Sequence, residues 1–280
     1  MPIRDILLPL VGEPDAAAIA AIDKCAAVAG DIGARVTAMA VETEVVVRPK
    51  VTISSDLENS AAAEAVRSVS SAHRLLQAFD AAANRFGVRN EQKLVRLATT
   101  DIPVHFAQAA RLKDLSLVPV SAHDGLSEKI VEALIFESGR PILLCPDEFA
   151  TELPVAFDNA AIAWDHSAPA ARAVADALPM IQAAANVRIF TATDEMTPTE
   201  QESGLALVNH LLEHGIKASF ETAEIDGSSV GKVFEAYVKA KAIDLLVMGA
   251  YRHSRLNEVV WGGATKTVIG RPPCWVMMSR

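Results

Sequence analysis

A chain of 280 residues, 51% of them apolar and only 5% aromatic, has ample material for a buried core and is not a disordered polymer. Its length admits one large domain or two of ordinary size, and its formal net charge of −9 argues against nonspecific attraction to nucleic acid or anionic lipid. Cys25, Cys145 and Cys274 form no Cys-x-x-Cys pair, and no apolar run reaches membrane-spanning length, so the expectation is a soluble, cytoplasmic protein without structural disulfides.

Along the chain, apolar runs alternate with alanine-rich helical stretches. In the first half, strands are predicted at 5–11, 35–43, 92–98, 114–120 and 141–145, with helices at 15–31, 60–86, 102–112 and 125–138. Arg48-Pro-Lys50 and Ser54-Ser-Asp56 mark a loop before the long second helix, and a linker runs from Pro146 to Pro154. In the second half, strands are predicted at 160–165, 187–193, 218–224, 243–249 and 274–278, with helices at 169–185, 198–214, 228–241 and 263–270.

The two halves repeat one another. Asp114-Leu-Ser-Leu-Val-Pro-Val120 matches Asp244-Leu-Leu-Val-Met-Gly-Ala250, and Gly139-Arg-Pro141 matches Gly270-Arg-Pro272. The starts match when Asp5 to Leu10 is set against Ala160 to Asp165. Each half then reads as five strands with helical crossovers, which is an α/β unit with a parallel sheet. The boundary is placed so that residues 1–150 and 151–280 form the two domains.

The stretch with the most chemistry is Asp244 to Thr265. An apolar strand ends at Gly249, where a side chain would obstruct a ligand at the carboxyl end of the strand. Gly262 and Gly263 then open a helix whose free N–H groups and dipole suit an anion such as phosphate. His210 and His214 are four residues apart on a predicted helix but lack a third ligand, so a solvated face is the better reading. Trp275 reads as packing; Tyr251 and Trp261 leave stacking open. No nucleophile–base triad, Walker loop or dinucleotide glycine fingerprint is present.

With Asp165 closing the first strand of the second half and Gly249 its fourth, the chain resembles a tandem universal stress protein. The resemblance implies two Rossmann-like domains of the adenine nucleotide alpha hydrolase type. In nucleotide-binding members a loop of the form G-x-x-G, nine residues, then G and a hydroxyl residue holds the phosphates. Here it becomes Gly249-Ala-Tyr-Arg252, nine residues, then Gly262-Gly263. Arg252 replaces a glycine, and either brings a guanidinium to a phosphate or fills its place. Gly263 replaces a hydroxyl, which Thr265 in the first helical turn can supply.

The resemblance also implies that Asp165 and the backbone at Ala192 hold the adenine or ribose end. It makes the cofactor ATP or another adenine nucleotide, with or without Mg. In the first half, Leu10 is set against Asp165, Pro119 against Gly249, Ala122 against Arg252, Glu132 against Gly262 and Ala133 against Gly263, so the same ligand is not expected there. Three functions compete: a noncatalytic nucleotide-binding stress protein acting through an unknown protein partner, a scaffold that has lost its nucleotide, and a weak ATP hydrolase. The paired repeats imply an intramolecular pseudo-dimer and allow a homodimer.

Overall fold

The computed structural model describes residues 2–44, 55–120, 125–146, 155–250 and 262–280. The first repeat comprises β1 (Asp5–Leu10), α1 (Ala16–Ile32), β2 (Arg35–Thr43), α2 (Ser55–Phe86), β3 (Asn90–Leu97), α3 (Ile102–Ala110), β4 (Leu115–Val120), α4 (Gly125–Glu137) and β5 (Ile142–Pro146). The second comprises β6 (Asn159–Ala163), α5 (Ala168–Ile181), β7 (Asn186–Ala192), α6 (Pro198–Glu213), β8 (Ala218–Ala223), α7 (Val230–Ala240), β9 (Leu245–Gly249), α8 (Gly262–Gly270) and β10 (Trp275–Ser279).

Every predicted element is present, with bounds within two residues except at the start of α2 and at the end of α5, which stops at Ile181 and not at residue 185. The loop expected to end near residue 60 gives way to helix at Ser55, so Ser55 and Asp56 lie in its first turn. Most of residues 45–60, and most of the linker Pro146 to Pro154, lie outside the described residues.

The ten strands form one sheet in the order β3-β2-β1-β4-β5-β10-β9-β6-β7-β8. Within each repeat all pairings are parallel, and the strand order reverses direction beside β1 and β6. The repeats join where β5 and β10 run antiparallel, Leu143 opposite Met277. Because Ser116 pairs with Ile142 as Leu246 pairs with Val276, Leu143 and Met277 are equivalent positions. A pseudo-twofold axis therefore passes through that pair.

Helices cover both faces of the central strands, so β1, β4, β5, β9 and β10 are buried at nearly every position, whereas the edge strands β3 and β8 are more polar and largely unburied. On one face, Ile6, Phe79, Cys145, Ile162, Trp275 and Met277 belong to a single cluster spanning both repeats. On the other, Leu7, Phe106, Leu144, Phe190, Phe234 and Met278 do the same. Trp275 is 2% exposed and meets Phe157 edge-on, its ring centroid 5.8 Å away, which is the packing role expected of it. All three cysteines are buried and free, and burial pushes the Cys25 thiol up.

The repeated aspartates have a structural use. Asp114 Oδ2 accepts from the backbone N–H groups of Arg4 and Asp5 at 2.9 and 3.0 Å, and Asp244 Oδ2 accepts from Asn159 N–H at 2.9 Å. Each carboxylate ties the start of one central strand to its neighbour. The same register corrects the sequence comparison. Ile6 pairs with Leu115 and Ala160 with Leu245, so Ile6 corresponds to Ala160, and Val11, not Leu10, stands opposite Asp165.

Candidate functional site

The place where strand order reverses in the second repeat, between β6 and β9, is where open parallel sheets present a crevice beyond their carboxyl ends. A cavity of about 280 Å³ opens there. It brings together Asp165, Ala192, Gly249 and Thr265, four of the expected site residues, with Phe190, Phe234 and Met248 among its apolar lining. Its volume lies near the lower end of ordinary small-ligand pockets, which start at roughly 300 Å³.

Asp165 is exposed, and its Oδ1 accepts from Ser167 N–H at 3.0 Å in a local turn. His166 follows with φ 60, a left-handed conformation that this turn enforces. Ser167 then caps α5 by accepting from Ala170 N–H at 3.2 Å. One carboxylate oxygen thus holds the loop in shape while the residue stays exposed in the cavity wall, so the turn role and a binding role are compatible.

Gly249 has a different cause from the one its sequence position suggests. A Cβ there would lie 2.5 Å from Ala170 N and 2.7 Å from the Pro169 carbonyl carbon, so the strand end needs glycine to pass the start of α5. The obstruction would be to the protein's own backbone. Gly263 is the contrary case. A Cβ there would meet nothing within 4 Å, so packing among the described residues does not require glycine at this exposed position.

Helix α8 starts at Gly262, and its first turn carries Ala264 and the buried Thr265 to the cavity wall. Thr267 Oγ1 donates back to the Gly263 carbonyl at 2.7 Å, and its side chain packs where α7 has only Gly231. Arg252, Tyr251 and Trp261 lie outside the described residues.

The charged side chains in the cavity wall are Asp165 and Glu200, with His166 beside them. Glu200 is engaged at the start of α6, accepting from Thr197 N–H and Oγ1 at 2.9 and 2.7 Å. Thr197-Pro-Thr-Glu200 is a capping pattern visible in the sequence, but nothing in that pattern marks Glu200 as a neighbour of the cavity. His210 on α6 and His214 at its C-cap are exposed, with ring centroids 4.9 Å apart. Among the described residues no group of three His, Cys, Asp or Glu side chains could hold a metal, and no helix is long and apolar enough to cross a membrane.

The first repeat presents a different top. Leu10 is 2% exposed, and Met39, Val41 and Val120 are buried at the corresponding strand ends. Glu132 and Ala133 sit inside α4, whose start lies seven residues earlier at Gly125. Their N–H groups are therefore used within the helix and are not free to meet an anion.

The sequence of residues 156–280 matches the Universal stress protein family. The second repeat belongs to that family. No curated protein matches the chain by sequence. The whole chain shares its fold with a universal stress protein from Archaeoglobus fulgidus DSM 4304, covering 99% of this chain and 96% of that one at 15% identity and a TM-score of 0.67. A candidate universal stress protein from Pseudomonas aeruginosa UCBPP-PA14 matches over 99% and 93% at 13% identity and a TM-score of 0.59.

Both likenesses span the two repeats, so the tandem universal stress protein fold is shared from end to end. A universal stress protein from Archaeoglobus fulgidus in complex with dAMP aligns with 51% of this chain and 98% of its own, at 11% identity and a TM-score of 0.34. That distance is too great to carry an argument about a ligand here.

Proposed function

We propose that this chain is a noncatalytic, nucleotide-responsive regulator in which only the second repeat holds ATP or another adenine nucleotide. The observation that carries the reading is the cavity at the reversal between β6 and β9, which gathers Asp165, Ala192, Gly249 and Thr265 beside the start of α8. In it the Asp165 carboxylate accepts from the sugar or base, the backbone at Ala192 meets the base, and the N–H groups at Gly262 and Gly263 receive phosphate. Arg252 adds a guanidinium to the phosphates, and Mg accompanies them where the nucleotide carries it. The first repeat, residues 1–150, is a degenerate copy that supports the second, residues 151–280. Binding changes the surface shown to a protein partner during a stress response, because a ligand favours the state it binds better.

The test is direct. Purified protein is denatured and the supernatant assayed for adenine nucleotide, and the emptied, refolded protein is titrated with ATP, ADP and AMP by calorimetry. Saturable binding that weakens with Asp165→Asn supports the reading; folded protein with neither released nucleotide nor heat of binding overturns it.

A second reading has one observation in its favour. The wall contributes two carboxylates, Asp165 and Glu200, and no lysine or arginine among its described residues, so phosphate meets no countercharge from them. Under that reading the paired repeats are an interaction scaffold that has lost its nucleotide.

A further inference from the structure

A second, larger cavity lies on the other side of the β6–α5 turn. It measures about 540 Å³ and runs between α5 and α6, with Ala171, Val174 and Leu207 as apolar wall and Glu202 and His210 at its rim. Trp164 and His166 line this groove and the β6–β9 cavity alike, so the turn that carries Asp165 is the partition between them. In the first repeat the matching layer is filled: Leu75, Phe79 and Ala82 of α2 are buried in one cluster with Ala21, Cys25 and Ala29 of α1. Phe86 comes so close to α1 that a Cβ on Gly30 would lie 2.7 Å from its carbonyl oxygen. Between α5 and α6 the same cluster holds Val174, Ala177, Leu207 and Leu211, and the groove opens beside them, where Trp164, His166 and Ser203 form its wall.

The groove has a defined chemistry. Trp164 is half-buried, and its indole N–H donates to Ser203 Oγ at 2.9 Å while its carbonyl accepts from Thr191 Oγ1 at 2.8 Å. Its ring is thus held in place as a wall. The permanent charges around it are negative: Glu202 in the groove, with Asp165 and Glu200 behind the partition. The single cation of α5, Arg172, is committed to Asp176 at 2.8 Å. His166 and His210 add imidazole rings to the same wall. A fixed indole face beside carboxylates and an aliphatic wall is the combination that recognises a positive charge on an apolar body.

We propose that the α5–α6 groove is a binding site for an organic ammonium ion. The ammonium sits over the Trp164 ring within reach of Glu202, and the apolar body lies against Val174 and Leu207. Because the partition is shared, occupancy of the groove is felt by the Asp165 turn, and the proposal stands whether or not that turn binds a nucleotide.

The test uses the full chain at pH 8 and low salt, titrated by calorimetry with benzyltrimethylammonium, with benzoate and benzyl alcohol as anionic and neutral counterparts. The expected result is saturable binding of the cation alone. Glu202→Gln, at an exposed position that leaves the fold intact, weakens it roughly threefold, and Trp164→Leu weakens it roughly tenfold. Absence of saturable binding overturns the proposal. So does equal binding of benzoate, or a Glu202→Gln protein that binds the cation as well as the parent does.

Discussion

The two repeats carry the same strand order on the same kind of sheet, yet their upper ends are built differently. In the first, Leu10, Met39, Val41 and Val120 close the strand ends with apolar side chains, and α4 runs through the positions where free N–H groups would be wanted. In the second, a carboxylate, a threonine and a short helix start border an open cavity. A fold sets where a crevice can form, and a handful of side chains at strand ends decide whether it does.

The comparison is most easily broken at Gly249. Gly249→Val drives a side chain into the backbone at Pro169 and Ala170 and is expected to destabilise the protein by about 3 kcal/mol in urea denaturation, whereas Pro119→Val at the matching position costs less than about 1 kcal/mol. Asp165→Asn is expected to leave stability within about 0.5 kcal/mol and to weaken adenine nucleotide binding roughly tenfold in calorimetry. Val11→Asp, which places a carboxylate at the matching position, confers no binding on the first repeat, because the N–H groups within α4 remain occupied. A nucleotide appearing in the first repeat of that variant would refute the account of why it is closed.

Asp114→Asn and Asp244→Asn test what the repeats share. Each removes a charged acceptor from strand-start N–H groups, and each is expected to cost about 1 kcal/mol, the same in both repeats. The smallest effect concerns Glu221. Burial pushes its carboxyl up, but hydrogen bonds from Tyr237 and Lys241, with the charges of Lys241 and Arg188, outweigh that and hold it below the usual value. A carboxyl lowered in the folded state adds stability above its unfolded value, near 4.3, and that stability is lost as pH falls through the folded value. The difference in stability between parent and Glu221→Gln is therefore expected to shrink as pH drops from about 5 to about 3.

Much of this architecture was legible in the residues. Strands such as Leu245–Gly249 announce themselves as short apolar runs closed by glycine, and alanine-rich stretches such as Ala16–Ile32 as helices. What could not be read was register. The run from Ile6 to Leu10 is apolar at nearly every position because both faces of the sheet are covered, so no polar residue marks which neighbour stands opposite which. Matching its last residue to Asp165 slipped by one, and only the pairing of Ile6 with Leu115 restores Val11 to that place.

The site was legible in part. Asp165, Ala192, Gly249 and Thr265 do converge, but the reason for Gly249 is a backbone approach made by a helix elsewhere in the chain.

The seam between β5 and β10 has a consequence for how the two repeats can diverge. In a dimer of identical chains the residue on the twofold axis must meet its own copy, and every substitution strikes both subunits at once. Here Leu143 meets Met277, a pairing of unlike side chains that no homodimer can place on its axis. Carrying both partners on one polypeptide makes their association independent of concentration and releases each from the other's mutations. One repeat is thereby free to lose its crevice while the other keeps it.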